Sequence, residues 1–214
     1  ESLHNLAEAN SKLGQYDLAL SQYLKAIETR RAMGDQRGVA LESESMAFIF
    51  AAQGRYGSAI GAMQDALKIF QQLKERTVFT VEIESGWGGI LAQAGRGDEG
   101  RKSIDDALSI AQEIKNDSAT SMARNWLGDF YFYRGDYAPA RQEFQRALET
   151  ATHAGDRERI LLSKVSLAKV AVKQGNQQAA IASLKKLSDD ADSLGFKSVS
   201  VECSVYLAEA LVVL

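Results

Sequence analysis

Few residues in this chain carry reactive side chains, and their spacing argues against most chemistry. His4 and His153 are the only two histidines and Cys203 is the only cysteine. A nucleophile needs a base and an orienting group beside it, and no such set assembles from residues so scattered. One cysteine gives neither a disulfide framework nor a metal-ligand cluster, and no cation beside Cys203 in sequence activates its thiol. Gly95-Arg96-Gly97-Asp98-Glu99-Gly100 fits the Gly-x-Gly-x-x-Gly fingerprint of dinucleotide sites. That fingerprint works only after a strand and within a βαβ unit, whereas here it falls between two helical patterns. Arg96-Gly97-Asp98 and Arg134-Gly135-Asp136 spell an integrin tripeptide, but each reads as a turn glycine followed by a helix-capping aspartate. The carboxylate pairs Asp105-Asp106 and Asp189-Asp190 read as solvated helix surface. No cofactor, metal or catalytic residue is predicted, and the chain is not read as an enzyme.

The elements that position these residues are helices. From Leu127 to Leu148 the apolar and small residues Leu127, Gly128, Tyr131, Tyr137, Ala140, Phe144, Ala147 and Leu148 follow a helical period, broken once at Arg134-Gly135-Asp136. This predicts two helices joined by a tight turn, with Gly135 ending the first and Asp136 capping the second. Pro139, the only proline, falls in the first turn of the second helix, where its missing N–H is tolerated. So short a pair cannot bury its own apolar face and needs neighbours like itself.

Those neighbours recur. The turn glycine stands at Gly14, Gly54, Gly95, Gly135 and Gly175, at spacings of 40, 41, 40 and 40 residues. Five residues after it comes Ala19, Ala59, Gly100, Ala140 or Ala180. Eight before it stands Leu6, Met46, Trp87, Leu127 or Leu167, and the next residue is always small: Ala7, Ala47, Gly88, Gly128, Ala168. A fixed period of this size predicts a solenoid of stacked helix pairs. The first helices are predicted at 1–13, 36–53, 77–94, 117–134 and 156–174. Their partners are predicted at 15–33, 55–74, 98–115, 136–153 and 176–194, with a lone helix at 197–214. One domain is therefore expected over 1–214, with repeats at about 1–34, 35–75, 76–115, 116–155 and 156–195 plus the helix at 196–214. Both ends break the repeat pattern, so the chain is read as part of a longer protein.

Large-apolar then small, followed by Gly-x-Tyr-x-x-Ala, resembles the tetratricopeptide repeat across essentially the whole chain. It departs from the commonest form in its period, about 40 residues against ~34, and in lacking a proline near the end of the second helix. This longer variety is similar to repeats of kinesin light chains, of Leu-Gly-Asn-type polarity adaptors and of bacterial peptide-sensing regulators. The resemblance implies an all-α, right-handed superhelical solenoid whose first helices line a concave groove. It implies groove positions at Asn5, Glu8 and Lys12; Ser45, Phe48 and Ala52; Gly86, Gly89 and Gln93; Trp126, Asp129 and Tyr133; Ser166, Lys169 and Lys173; and Tyr206 and Glu209. Only Asn5 and Lys12 suit the family's clamp for a C-terminal carboxylate, so that mode is not expected.

Composition agrees with a binding module. The chain is 45% hydrophobic and 25% charged with a net charge of −3, which gives no basic field for nucleic acid or an anionic membrane. No apolar run approaches the ~20 residues of a membrane span, and a cytoplasmic location is expected. The third repeat holds six of the 17 glycines; glycine inside a helix costs ~0.5–1 kcal/mol relative to alanine, so this repeat is expected to be the softest. The function expected is a non-catalytic protein–protein interaction scaffold that takes a peptide or partner helix in its groove. The alternative is a ligand- or peptide-sensing regulatory domain of a larger signalling or transcription protein. The site is predicted at Phe48, Gly86, Gly89, Trp126, Asp129, Tyr133 and Lys169, with Gly86 and Gly89 forming a hollow between aromatic walls. Self-association through the exposed terminal helix is a further expectation.

Overall fold

A computed structural model of the chain describes residues 2–212. Eleven α-helices account for these residues: α1 (Ser2–Lys12), α2 (Tyr16–Ala32), α3 (Gln36–Ala52), α4 (Tyr56–Leu73), α5 (Val78–Gln93), α6 (Gly97–Glu113), α7 (Asp117–Tyr133), α8 (Tyr137–Ala154), α9 (Arg157–Lys173), α10 (Gln177–Leu194) and α11 (Lys197–Val212). The helix bounds read from the periodicity agree within two residues, except that the predicted start at residue 1 and the predicted end at residue 214 lie outside the described residues.

Each turn inside a repeat is closed by its glycine. Gly135 has φ +81°, and its N–H donates to Phe132 O at 3.0 Å while Asp136 N–H donates to Tyr131 O at 3.0 Å. That left-handed residue with its paired bonds satisfies the last carbonyls of the first helix, and a Cβ there would strain the backbone. The turns between repeats use the same device. Gly34, Gly155 and Gly195 adopt positive φ, but Lys74 and Lys115 occupy the equivalent place on either side of the third repeat with φ of 52° and 51°.

Capping departs from expectation. Asp136 occupies the N-cap position of α8 but makes no side-chain cap; its carboxylate instead lies 3.5 Å from Arg134 Nε. The side-chain caps sit on first helices. Asp35 accepts from Gly38 N–H at 2.9 Å, Asn116 from Ala119 N–H at 2.9 Å, and Asp156 from Arg159 N–H at 3.0 Å. Asp35 and Asp156 also follow a left-handed glycine, so the turn itself does not forbid a cap; their backbone stands at ψ 79° and 96°, whereas that of Asp136 stands at 64°.

The small residues of the repeat mark close helix approach. A Cβ on Gly88 would meet Gly100 O at 2.6 Å, so α5 and α6 pack backbone to backbone there, and a Cβ on Gly128 would enter the Phe144 ring of α8. Ala7, Ala19, Ala47, Ala59 and Ala140 are fully buried in the same role.

The helices form two compact units, Glu1–Ile110 and Ala111–Leu214. In the first, one core gathers Ala40, Ala47, Met63, Phe70, Ile83 and Ile90 and another gathers Tyr23, Ile27, Val39 and Ile49. In the second, Leu161, Val165, Leu184, Val199 and Cys203 form one core, and Phe132, Ala140, Phe144 and Val170 another. Along each unit, successive first helices touch one another: α3 packs on α5, α7 on α9 and α9 on α11. Those contacts between first helices position the candidate site.

Candidate functional site

In the second unit the helical period puts Met122, Asn125, Trp126 and Asp129 on one face of α7 and Arg159, Leu162 and Ser166 on one face of α9. Together with Glu202 of α11 they line a pocket of about 190 Å³. Three first helices thus converge on one cavity, as their register requires. The predicted residues Trp126 and Asp129 are there, both half-buried. The pocket also contains Asn125, Arg159 and Glu202, which the reading of groove positions passed over. Asn125 stands two residues before Leu127, at a position that faces the next first helix. Its Nδ2 donates to Ser163 Oγ at 3.0 Å, while its buried Oδ1 accepts nothing from any described residue. Arg159 Nη2 reaches only the Met122 sulfur, at 3.2 Å. The guanidinium therefore brings full charge and several donors to a thioether, a weak acceptor. Burial pushes the Glu202 carboxyl up, only partly opposed by the nearby Lys169 ammonium.

Lys169 is not the exposed groove residue the resemblance implies: it is 2% exposed. Its ammonium is bonded to Asp129 and lies over the rings of Phe132 at 4.6 Å, Phe144 at 5.2 Å, Tyr206 at 5.4 Å and Tyr133 at 5.6 Å. Burial pulls the ammonium down, but the Asp129 carboxylate and the two phenols outweigh it, and Lys169 stands above the usual lysine range. A caged, paired cation is a structural device holding α7 to α9. It also occupies the Asp129 carboxylate that was expected to face a ligand. Tyr133 is 62% exposed at the rim of this cage.

In the first unit Phe48 is half-buried, and Gly86 and Gly89 are buried. Gly86 is not the floor of an open hollow. A Cβ there would lie 2.8 Å from Phe48 Cζ, 3.2 Å from Glu44 Oε1 and 3.4 Å from Met63 Cε. The Phe48 ring has moved into the space the glycine vacates, so the residues expected to wall a cavity instead fill it. Near the chain start, Lys12 donates to Glu8 at 2.6 Å, pairing two of the predicted groove groups with each other.

The remaining reactive groups are structural. Burial pushes the Cys203 thiol up to about 11, well away from a thiolate at neutral pH. His4 Nδ1 contacts the buried Glu42 carboxylate at 2.9 Å, which also accepts from Arg30 Nε at 2.8 Å. Among the described residues no group of His, Cys, Asp and Glu is placed to hold a metal ion, and no helix is long and apolar enough to cross a membrane.

Helix pairs of this kind, with polar and aromatic groups on successive first helices, define a class of repeat scaffold built for protein interaction. The tetratricopeptide repeat model matches residues 1–72, 79–151 and 118–191, and the chain belongs to that family. No curated protein matches it. Among solved structures it is similar to a Rap protein complexed with competence and sporulation factor, with 16% identity and a TM-score of 0.74 over 97% of this chain and 63% of that one. It is similar to a signal transduction ATPase with numerous domains and a tetratricopeptide repeat sensor from Pyrococcus horikoshii, at 14% identity and TM-score 0.63, over 97% of this chain and 32% of that one. It also matches a Podosopora anserina putative kinesin light chain, at 14% identity and TM-score 0.59, over 90% of this chain and 95% of that one. The chain thus spans under two thirds of the length of the first two. At these identities the likeness is one of fold.

Proposed function

We propose that this protein is a non-catalytic scaffold that holds a peptide segment of its partner in the pocket formed by α7, α9 and α11. One observation carries the reading: Arg159 and Asn125 line the same 190 Å³ cavity, Arg159 with no oxygen acceptor for its guanidinium and Asn125 with no donor for its buried Oδ1. Polar groups left this way in a cleft cost free energy that a bound segment can recover. A peptide carries both complements, a carbonyl or carboxylate for Arg159 and an amide N–H for Asn125. Trp126 supplies the flat apolar wall on which such segments anchor. The Asp129–Lys169 pair keeps the pocket rigid beneath them.

Panning a random peptide display library on the full chain tests this. Selected peptides are expected to bind with affinities that fall about tenfold or more, ~1.4 kcal/mol, in Trp126→Ala and in Arg159→Ala, with the helical circular dichroism unchanged. Trp126 is one of only two tryptophans, so binding also changes the fluorescence. Peptides that bind both folded variants as tightly as the native chain would move the site elsewhere.

A second reading is a sensor, favoured by the fold shared with a Rap protein seen with its bound factor and with a repeat described as a sensor. In that case a selected peptide compacts the chain in solution X-ray scattering; for a passive scaffold the radius of gyration stays the same.

A further inference from the structure

One spacing recurs in two of the contacts between successive first helices, and the contact of α3 with α5 breaks it. A residue two before the large-apolar position meets a residue 38 further on. His4 meets Glu42 at 2.9 Å, and Asn125 meets Ser163 at 3.0 Å. The same step from Glu44 leads to Glu82, a like charge. Glu44 is 5% exposed, and its carboxyl has no hydrogen bond or ion pair with any described residue. Burial and then the Glu82 charge push this carboxyl well up. Its Oε1 and the edge of the Phe48 ring both lie against Gly86, where no side chain intervenes.

A carboxylate with an aromatic ring beside it is the setting that holds Lys169 between α7 and α9. There the chain supplies its own ammonium, to Asp129 and four rings. Between α3 and α5 it supplies acid, ring and glycine gap, and Glu44 is left without its counter-ion. We propose that Glu44 and the Phe48 ring form a binding site for an organic cation, the ammonium or guanidinium of a partner's lysine or arginine side chain. Phe48 is the lid. Its ring swings off Gly86, the cation enters against Glu44, and the ring then offers it a face. Side-chain rotation of this size is ordinary on binding. The site lies in the first unit, and its test is independent of the peptide pocket of the second.

The probes are n-butylammonium and agmatine, titrated into the full chain labelled with ¹³C at its methionine methyl groups. Met63 Cε lies beside the Glu44–Phe48–Gly86 contact and reports on the site; Met122 lines the other pocket and serves as the control. Both cations are expected to shift the Met63 resonance saturably while that of Met122 stays in place. Glu44→Gln is expected to weaken the effect about tenfold or more, and sodium chloride at equal ionic strength is expected to leave it absent. A Met63 shift equal in Glu44→Gln, a response to Mg²⁺ or Ca²⁺ in place of the organic cations, or no response at all would each overturn the proposal. Glu44→Gln keeps the size and shape of the side chain. A loss of binding is read only after its circular dichroism and methyl spectrum match the native chain; a misfolded variant is replaced by Phe48→Leu, which removes the ring and is expected to weaken butylammonium binding as well.

Discussion

The contact of α3 with α5 and the contact of α7 with α9 occupy the same place in the repeat and solve the same problem oppositely. Both bring charged groups from two first helices into a space with little water. At α7–α9 the charges are of opposite sign and at the same register position, since Asp129 and Lys169 both stand two residues after the large-apolar residue. At α3–α5 that position holds Phe48 and Gly89, and the charge comes from Glu44, one helical turn before Phe48, and Glu82, two turns before Gly89. The inter-repeat turn differs in the same direction, since α8 leads to α9 through Gly155 while α4 leads to α5 through left-handed Lys74. A repeat scaffold can place strain in one contact and leave another at rest because each repeat touches only its neighbours.

Breaking the settled contact has the largest expected effect. Lys169→Met keeps the volume but leaves Asp129 without its cation in a partly buried setting, and breaking such pairs typically costs ~3–5 kcal/mol. Asp129 is half-exposed, so the lower end, about 3 kcal/mol, is expected. Urea unfolding followed by circular dichroism measures it. The double variant Lys169→Met with Asp129→Asn recovers most of the loss if the charge, not the packing, is responsible.

Next in size is overpacking. Gly128→Leu forces a side chain into the Phe144 ring, and Ala140→Leu fills a position with no exposed surface. Each is expected to destabilise by ~1–3 kcal/mol or more, against almost nothing for a change at exposed Gln142. Equal melting temperatures for all three variants would refute the packing register.

Glu44 sharpens the comparison from the other side. Its folded-state carboxyl is pushed well up from the ordinary value of 4.5. The native state therefore holds a proton that the unfolded chain releases, and stability falls as pH rises from about 4.5 through the folded value. Glu44→Gln removes that dependence. At pH 7 the variant is expected to be more stable than the native chain by about 1 kcal/mol, with the advantage shrinking as pH drops toward 4.5. An advantage that does not change with pH would mean that ionisation of Glu44 is not its cause. In hydrogen exchange the α5 amides are expected to protect less than those of α7, and Glu44→Gln is expected to narrow the gap.

The sequence made the helices, their turns and the close-packing glycines legible because each depends on residues within one repeat. Gly135, Gly128 and Ala140 are local decisions, visible as a period. The candidate site was legible only in part. Trp126 and Asp129 follow from register, but Lys169 carries the same register and is buried, because a neighbouring carboxylate and four rings draw it in. Those contacts cross repeats, 40 residues apart for Asp129, and a periodic pattern does not say which charges will meet. Glu44 and Asn125 escaped for a related reason. They stand on the flank of the first helix, facing the next repeat, where the identity of the partner decides whether a polar residue is satisfied. Asp136 shows the converse, a good capping residue whose carboxylate lies by Arg134 and leaves the helix N-terminus uncapped.

The smallest predicted effect is also the most local. Lys74 holds φ 52° and ψ 31°, a conformation that brings Cβ against the following carbonyl and costs roughly 1–2 kcal/mol in a non-glycine residue. Gly155 at the matching turn holds φ 69° and ψ 18° without that penalty. Exchanging the two tests whether the strain in the α3–α5 region is built into the backbone as well as into its charges. Lys74→Gly is expected to stabilise by about 0.5–1 kcal/mol, since the greater freedom of glycine in the unfolded chain takes back part of the relief. In a chain of this length that is a rise of ~2–4 °C per kcal/mol in melting temperature. Gly155→Lys is expected to lower it by a similar amount. Lys115→Gly, with φ 51° at the other edge of the third repeat, provides an independent repetition. If Lys74→Gly lowers the melting temperature while Lys115→Gly raises it, the Lys74 side chain contributes more than its backbone costs. Its place on the rim of a pocket of about 320 Å³ with Glu75, Arg76 and Glu84 would then be the contact to examine.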